Sequence, residues 1–344
     1  MSSIKDIAKK AGVSIGTIDR VLHGRGRVSG RTKARVQQIV DSAGYKPNIY
    51  ARNLSLAKVF RFGVLMPKLD QDSGYWRIPA NGINRAHRQL GSAKVEVLYF
   101  HFDRYVESSF ERAFQKAMRS GLDGFLIAPV LASAAQRLIA TIPVKIPYVF
   151  FDSSLPDLHP LAIIGQDAYQ SGVLAASLVS RMRCIDGTLA IVKVTPVDFH
   201  ISERLRGFRD SISASPSFQA REYEVDSQGG VAAFQTLAET ILAENPDLLG
   251  VFVSNAWTHP FGELFNKSKS GRKVCIVGYD LVTKNRKSLE DGLIDFLISQ
   301  RPGMQGYEGI QALYRHAVLR DKVEKSSLVP LDIITRENVK YYHD

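Results

Sequence analysis

From Phe60 onward the chain repeats one pattern: a short apolar run rich in β-branched residues, an amphipathic stretch of helical period, then another run. The runs fall at residues 62–66, 95–100, 124–128, 148–151, 162–164, 189–194, 249–253, 274–279 and 296–298, with helical patterns such as 108–119, 168–182 and 231–243 between them. Alternation of this kind predicts an α/β class, with parallel sheets covered by helices on both faces. Nine strands are better divided between two lobes than packed as one sheet. Ligands of such open sheets bind beyond the carboxyl ends of the strands, so residues just after each run become site candidates.

The first sixth of the chain is different. Ser14 is placed to cap a helix through its hydroxyl, Thr17 faces the same orphan amides, and Ile18, Val21 and Leu22 follow at helical spacing. Before it, Ser3 and Asp6 form a capping box for a first helix with the apolar face Ile4, Ile7, Ala8 and Ala11, which Gly12 then breaks. Two short helices joined by a tight turn containing glycine are a helix-turn-helix pattern, whose second helix enters the major groove; the competing reading is a surface helical hairpin. Ser29 and Thr32 open a third helix, with Val36, Ile39, Val40 and Ala43 closing a small core up to Gly44.

Charge favours the nucleic-acid reading. Residues 1–60 carry twelve Lys or Arg against three Asp, whereas the rest of the chain is nearly balanced, so almost all of the net +11 lies at one end. A basic concentration of this size suits a polyanion, because neutralised phosphates release counterions. The basic loop His23-Gly24-Arg25-Gly26-Arg27 is suited to lie along phosphates. Residues 45–48 read as a turn, and 49–54 as a short hinge helix that needs a partner or DNA to order it.

Several classes are disfavoured. The start lacks the continuous apolar core of an export signal, and the apolar stretch 124–135 contains Pro129 and is shorter than a membrane span, so a cytoplasmic chain with no membrane partner is expected. Cys184 and Cys275 are far apart, offer neither a disulfide framework nor zinc spacing, and are expected to be buried. Gly12-Val13-Ser14-Ile15-Gly16 matches the nucleophile-elbow pattern, but it lies in a basic helical segment without the strand that pattern requires. No Walker loop, no GxGxxG after a strand and no HExxH occurs, so no catalytic residue, cofactor or metal is assigned.

The chain as a whole resembles the lactose-repressor and purine-repressor (LacI/GalR) family of bacterial transcription regulators. The specific matches are Asp6-Ile7-Ala8, Ala11-Gly12-Val13-Ser14, Thr17, Arg20-Val21-Leu22, Val28-Ser29, Thr32, Val36, Gly44-Tyr45, Pro47-Asn48, Ala51 and Leu54. Later motifs agree: Glu203-Arg204 with Gly207-Phe208, Val277-Gly278-Tyr279-Asp280, Ile298-Ser299-Gln300 and Ile334-Thr335-Arg336-Glu337-Asn338. The resemblance implies an all-α helix-turn-helix domain (1–46), a hinge (47–59) and a two-lobed periplasmic-binding-protein-like core (60–344). Its N-lobe is expected at about 60–160 and 293–324 and its C-lobe at about 161–292 and 325–344, with crossings near 160, 293 and 325.

The family also implies a homodimer on a double-stranded, pseudo-palindromic operator, with Leu54 as the apolar wedge in the minor groove. Leu54 packed inside the hinge is the competing role. Ser14, Ile15, Gly16, Thr17, Asp19, Arg20, Arg25, Arg27, Tyr45, Asn48 and Arg52 complete the expected DNA contacts. Gly16 has no side chain with which to read a base, and Asp19 replaces the family's small hydroxyl residue; an aspartate accepts from cytosine N4 but is repelled by phosphate. Ser14, Thr17, Arg25 and Arg27 suit phosphates, which position without specifying sequence. The chain ends directly after its last strand pattern, with no terminal heptad helix, so a dimer is expected rather than a tetramer.

For the effector the family's matching positions are Asp152, Arg204, Asn255, Asp280 and Gln300, and Trp76 and Trp257 are stacking candidates. Such a set suits a sugar, which needs flat apolar contact for its C–H face and polar groups for its hydroxyls. Competing roles remain: turn capping for Asp152 and Asp280, a surface ion pair for Arg204, core or dimer interface for the tryptophans. Ala256 stands where the family often has an acid. A carbohydrate or sugar acid is the expected effector and a nucleobase or nucleoside the alternative; a sugar-binding protein without a regulatory role is a more distant one.

Overall fold

The apolar runs become the strands of two sheets in a computed structural model that describes residues 4–22, 28–43, 58–91, 94–182, 186–215, 217–266 and 274–343. It divides into two units, Met1–Lys58 and Val59–Asp344.

In the first unit, helices α1 (Ile4–Ala11), α2 (Ile15–Leu22) and α3 (Gly30–Ser42) enclose Ile7, Ala8, Ala11, Ile18, Val21, Val36 and Val40. Gly12 turns the chain between the first two helices at φ 61°, a left-handed conformation that costs a residue bearing a Cβ. The Ser14 hydroxyl accepts from Thr17 N at 3.1 Å, and Ser29 Oγ accepts from Thr32 N at 3.3 Å, so each serine satisfies an orphan amide at a helix start. Ser3, Arg25, Arg27, Gly44, Tyr45, Asn48, Arg52, Leu54, Cys184 and the Asp19 side chain lie outside the described residues, as do hinge positions 47–57.

The second unit begins with β1 (Phe60–Pro67), β2 (Val95–Phe102), β3 (Gly124–Ile127), β4 (Tyr148–Phe151) and β5 (Ala162–Gly165). Later strands are β6 (Gly187–Thr195), β7 (Phe218–Asp226), β8 (Leu248–Val253), β9 (Cys275–Tyr279), β10 (Phe296–Ser299), β11 (Ser326–Leu328) and β12 (Asp332–Ile334). One sheet has the order β11-β5-β4-β3-β1-β2 and is parallel throughout; the other has the order β12-β10-β9-β8-β6-β7, with only β12 antiparallel. Helices α4 (Arg77–Gln89), α5 (Glu107–Met118), α6 (Ala132–Ile139) and α12 (Pro302–Tyr314) cover the first sheet. Helices α7 (Ala168–Met182), α8 (Phe199–Ser213), α9 (Gly230–Glu244), α10 (His259–Asn266) and α11 (Thr283–Glu290) cover the second. Cys275 is buried in β9.

All nine expected runs lie in strands; β7, β11 and β12 add three that the apolar pattern misses. β7 pairs only with β6, at a sheet edge, and most of its side chains face solvent, so it carries Arg221, Glu222 and Glu224 instead of an apolar run.

The crossings fall later than the expected 160, 293 and 325. β5 still belongs to the first sheet, β10 to the second and β11 to the first, so the chain crosses at about 166–167, 300–301 and 329–331. The polar segment before β5 and the Gly292 turn before β10 look like boundaries in sequence, but each is a loop within one lobe.

Candidate functional site

The strand ends of the two sheets face one cleft, and the loops that follow them supply its walls. The turn after β1 brings Asp72, Tyr75 and Trp76, the loop after β2 brings Arg104, and Asp152 follows β4. From the other lobe come Asp198, His200 and Arg204 after β6, Asn255 after β8, Asp280 after β9 and Gln300 after β10. Six of the seven expected effector residues meet here. Trp257 does not: its ring stacks on Phe234, with centroids 4.8 Å apart, at the second lobe's core, and its backbone N–H donates to Asn255 Oδ1 at 3.0 Å.

Gln300, on a crossing segment, ties the walls together. Its Nε2 donates to Tyr75 Oη at 2.9 Å and to Asp280 Oδ2 at 3.1 Å, while the Tyr75 hydroxyl donates to Asp152 through a short bond. Gln305 supports both ends of this network, accepting from Asp152 N at 2.8 Å and donating to the Gln300 carbonyl at 2.8 Å. Arg204, 1% exposed, lies with its guanidinium carbon 3.8 Å from the Tyr279 ring centroid and donates to the Ser254 carbonyl at 3.2 Å. The Gln166 amide, with its oxygen towards the guanidinium, accepts from Arg204 Nε at 3.0 Å. Trp76 Nε1 donates to Asp72 Oδ2 at 2.7 Å, which fixes the ring at the cleft wall.

Sequence reasoning did not single out Asp72, Tyr75, Arg104, Asp198 or His200. Arg104 forms an ion pair with Asp72, approaches Asp198 Oδ2 at 3.7 Å and donates to the Pro196 carbonyl at 3.3 Å, so one buried cation joins the lobes. Asp198 also caps α8 by accepting from Ile201 N at 3.2 Å, and it contacts His200 Nδ1 at 2.8 Å. The rule that sites follow strand ends does reach Arg104, two residues after β2. Nothing local in the sequence shows that its partners come from opposite lobes.

Burial and charge set the protonation states. Burial pushes Asp280 up to about 6 against the opposing pull of Arg204, and raises Asp152 against the pull of His200. Asp198 is equally buried, yet His200 and Arg104 hold it down to about 2. Asp280 Oδ1 has no hydrogen-bond partner although the residue is 2% exposed, so a strong acceptor is left for something that enters the cleft. The arrangement offers carboxylate acceptors, guanidinium and amide donors and an indole wall.

On the first unit, Ser14, Ile15, Gly16 and Arg20 are exposed and Thr17 is half-buried; Ile15 is 44% exposed despite being apolar. Among the described residues these positions make up an exposed face at the start of α2. Among the described residues no helix is long and apolar enough to cross a membrane.

Comparison with known proteins agrees with this division. Residues 3–48 match the model of bacterial regulatory proteins of the lacI family, and residues 62–321 match that of the periplasmic binding protein domain. The HTH-type transcriptional regulator AscG of Escherichia coli (strain K12) is 47% identical over 66 residues, 19% of this chain and 20% of AscG. The HTH-type transcriptional regulator MalR of Streptococcus pneumoniae (strain ATCC BAA-334 / TIGR4) is 24% identical over 211 residues, 61% of this chain and 62% of MalR. A crystal structure assigned as a LacI transcriptional regulator from Bacteroides fragilis superposes with a TM-score of 0.77 at 27% identity, covering 83% of this chain and 100% of that one. Over residues 62–321 this chain belongs to the periplasmic binding protein domain family, and residues 3–48 before it carry a head of the lacI family of bacterial regulatory proteins.

Proposed function

We propose that the protein is a sequence-specific, cytoplasmic DNA-binding regulator of transcription, a repressor, whose affinity for its operator is controlled by a small carbohydrate held in the cleft. The observation that carries this reading is the convergence of Asp152, Arg204, Asn255, Asp280 and Gln300 from both lobes, with Trp76 beside them and Asp280 Oδ1 unsatisfied. A polyhydroxylated ring supplies what that set lacks: hydroxyl donors for the carboxylates, acceptors for Arg204 and Asn255, and an apolar face for the indole. The residues that hold the ligand belong to different lobes, so a bound ligand stabilises one lobe arrangement over others. In a homodimer whose protomers each read half of a pseudo-palindrome, that preference changes the separation of the two hinge segments and hence the affinity for DNA.

The test is a thermal-shift screen of the purified protein against sugars, sugar acids, sugar phosphates and nucleobases, since a ligand that binds only the folded state raises the melting temperature. A carbohydrate hit that vanishes in Arg204→Ala and Asp280→Ala supports the reading; a hit confined to nucleobases overturns the carbohydrate assignment. Removal of residues 1–58 is expected to abolish operator binding and to spare ligand binding. Specific DNA binding by that truncated core would overturn the assignment of the head.

A further inference from the structure

The cleft between the lobes is shut in this lobe arrangement, with about 30 Å³ free, so a sugar ring enters it only as the lobes part. Beside it lies a second pocket of about 210 Å³, and Asp152 and His200 line both. This neighbour is walled by Ser153 and Ser154 after β4, by the first crossing segment and by the opening turns of α7 and α8.

Its lining has the composition of a sugar site. Phe199, at the start of α8, is 37% exposed, an apolar surface for the C–H face of a ring. Asp152, Asp167 and Glu203 supply acceptors, and Arg206, bonded to Glu203 at 2.6 and 3.1 Å, keeps that carboxyl below its usual range. The deciding group is Ser153. It is 4% exposed, lines the pocket, and its hydroxyl has no hydrogen-bond partner, so a buried donor and acceptor is left for a guest. Three carboxylates around the pocket disfavour an anionic guest.

We infer that this pocket is a second sugar subsite continuous with the cleft, and that the effector is an uncharged disaccharide or glycoside whose two units lie on either side of the Asp152 and His200 wall. The inference rests on the reading of the cleft as a carbohydrate site and specifies the size of its ligand. A free monosaccharide fills one subsite and leaves Ser153 and Phe199 untouched.

The experiment is titration calorimetry on the full chain with neutral disaccharides (maltose, cellobiose, lactose, sucrose, gentiobiose) and their constituents glucose, galactose and fructose. At least one disaccharide is expected to bind about 10-fold or more tightly than either constituent, and Ser153→Ala and Phe199→Ala to remove most of that advantage while leaving monosaccharide affinity unchanged. Phe199 is partly exposed, so its truncation keeps the fold even if the buried serine variant does not. Monosaccharides that bind as tightly as disaccharides, with both variants indifferent, overturn the second subsite and leave the cleft assignment standing. Failure of both sugar sets overturns both.

Discussion

Asp152 and Asp280 are counterparts in the two lobes. Each directly follows the third strand of its sheet counted from the crossing edge, and each holds a left-handed backbone, at φ 68° and 63°. A non-glycine residue in that conformation costs about 1–2 kcal/mol, which two otherwise unrelated loops both accept in order to aim a carboxylate into the cleft. The pairing extends one strand further, where Gln166 follows β5 and Gln300 follows β10.

The first prediction concerns pH. Asp280 in the folded chain, at about 6, holds a proton that the unfolded chain has already released, so its contribution to stability is largest in acid and is lost as pH rises through 6. Asp280→Asn is therefore expected to stabilise the ligand-free core at pH 7 by up to about 3 kcal/mol, and to flatten its stability profile between pH 4 and about 6. Urea unfolding across that range checks it. Effector affinity should fall in the same variant, and in the parent as pH drops below about 6, because the protonated acid accepts fewer hydrogen bonds.

Arg104 is buried between Asp72 and Asp198. Its replacement by alanine leaves two carboxylates without their common cation, at a cost of about 3–5 kcal/mol in core stability. It also removes a direct ionic link between the lobes. Small-angle scattering of Arg104→Ala should therefore show a larger radius of gyration than the parent; an unchanged radius would show that the link does not hold the lobes together.

Helices α7 and α8 cross where each presents a glycine to the other. A Cβ at Gly207 would meet the Tyr169 carbonyl, and one at Gly172 the Arg204 carbonyl. Gly207→Ala must push α8 outward, costing roughly 1–3 kcal/mol. Because Arg204 rides on the same helix, effector affinity should drop as well, by more than in Gly91→Ala, where a Cβ meets nothing. Parallel calorimetry on both variants makes the comparison.

In the first unit, Gly12→Ala forces a Cβ into a left-handed turn, a penalty of about 1–2 kcal/mol. Amide exchange across Gly30–Ser42 should quicken in the full chain and DNA affinity should weaken, while effector binding stays at the parent value.

The sequence states the fold more fully than it states the site. Apolar runs identify every buried strand because both faces of those strands are covered, whereas β7 is lost to its charged, outward side chains. Asp152, Asp280 and Gln300 follow strand ends and are legible by that rule. Arg104 follows one too, but its meaning comes from Asp72 and Asp198, 32 residues before it and on the opposite lobe respectively. Trp257 shows the reverse limit: an indole beside a strand end suits a sugar or a core equally well, and only the position of Phe234 decides.

The three crossings all leave from the same edge of each sheet, β5 and β11 in one and β10 and β12 in the other. Two rigid bodies joined along one edge retain a single soft degree of freedom, a rotation about that line. On the regulatory reading proposed above, an occupant of the cleft acts by setting that angle, so ligands of different shape that set the same angle are equivalent signals.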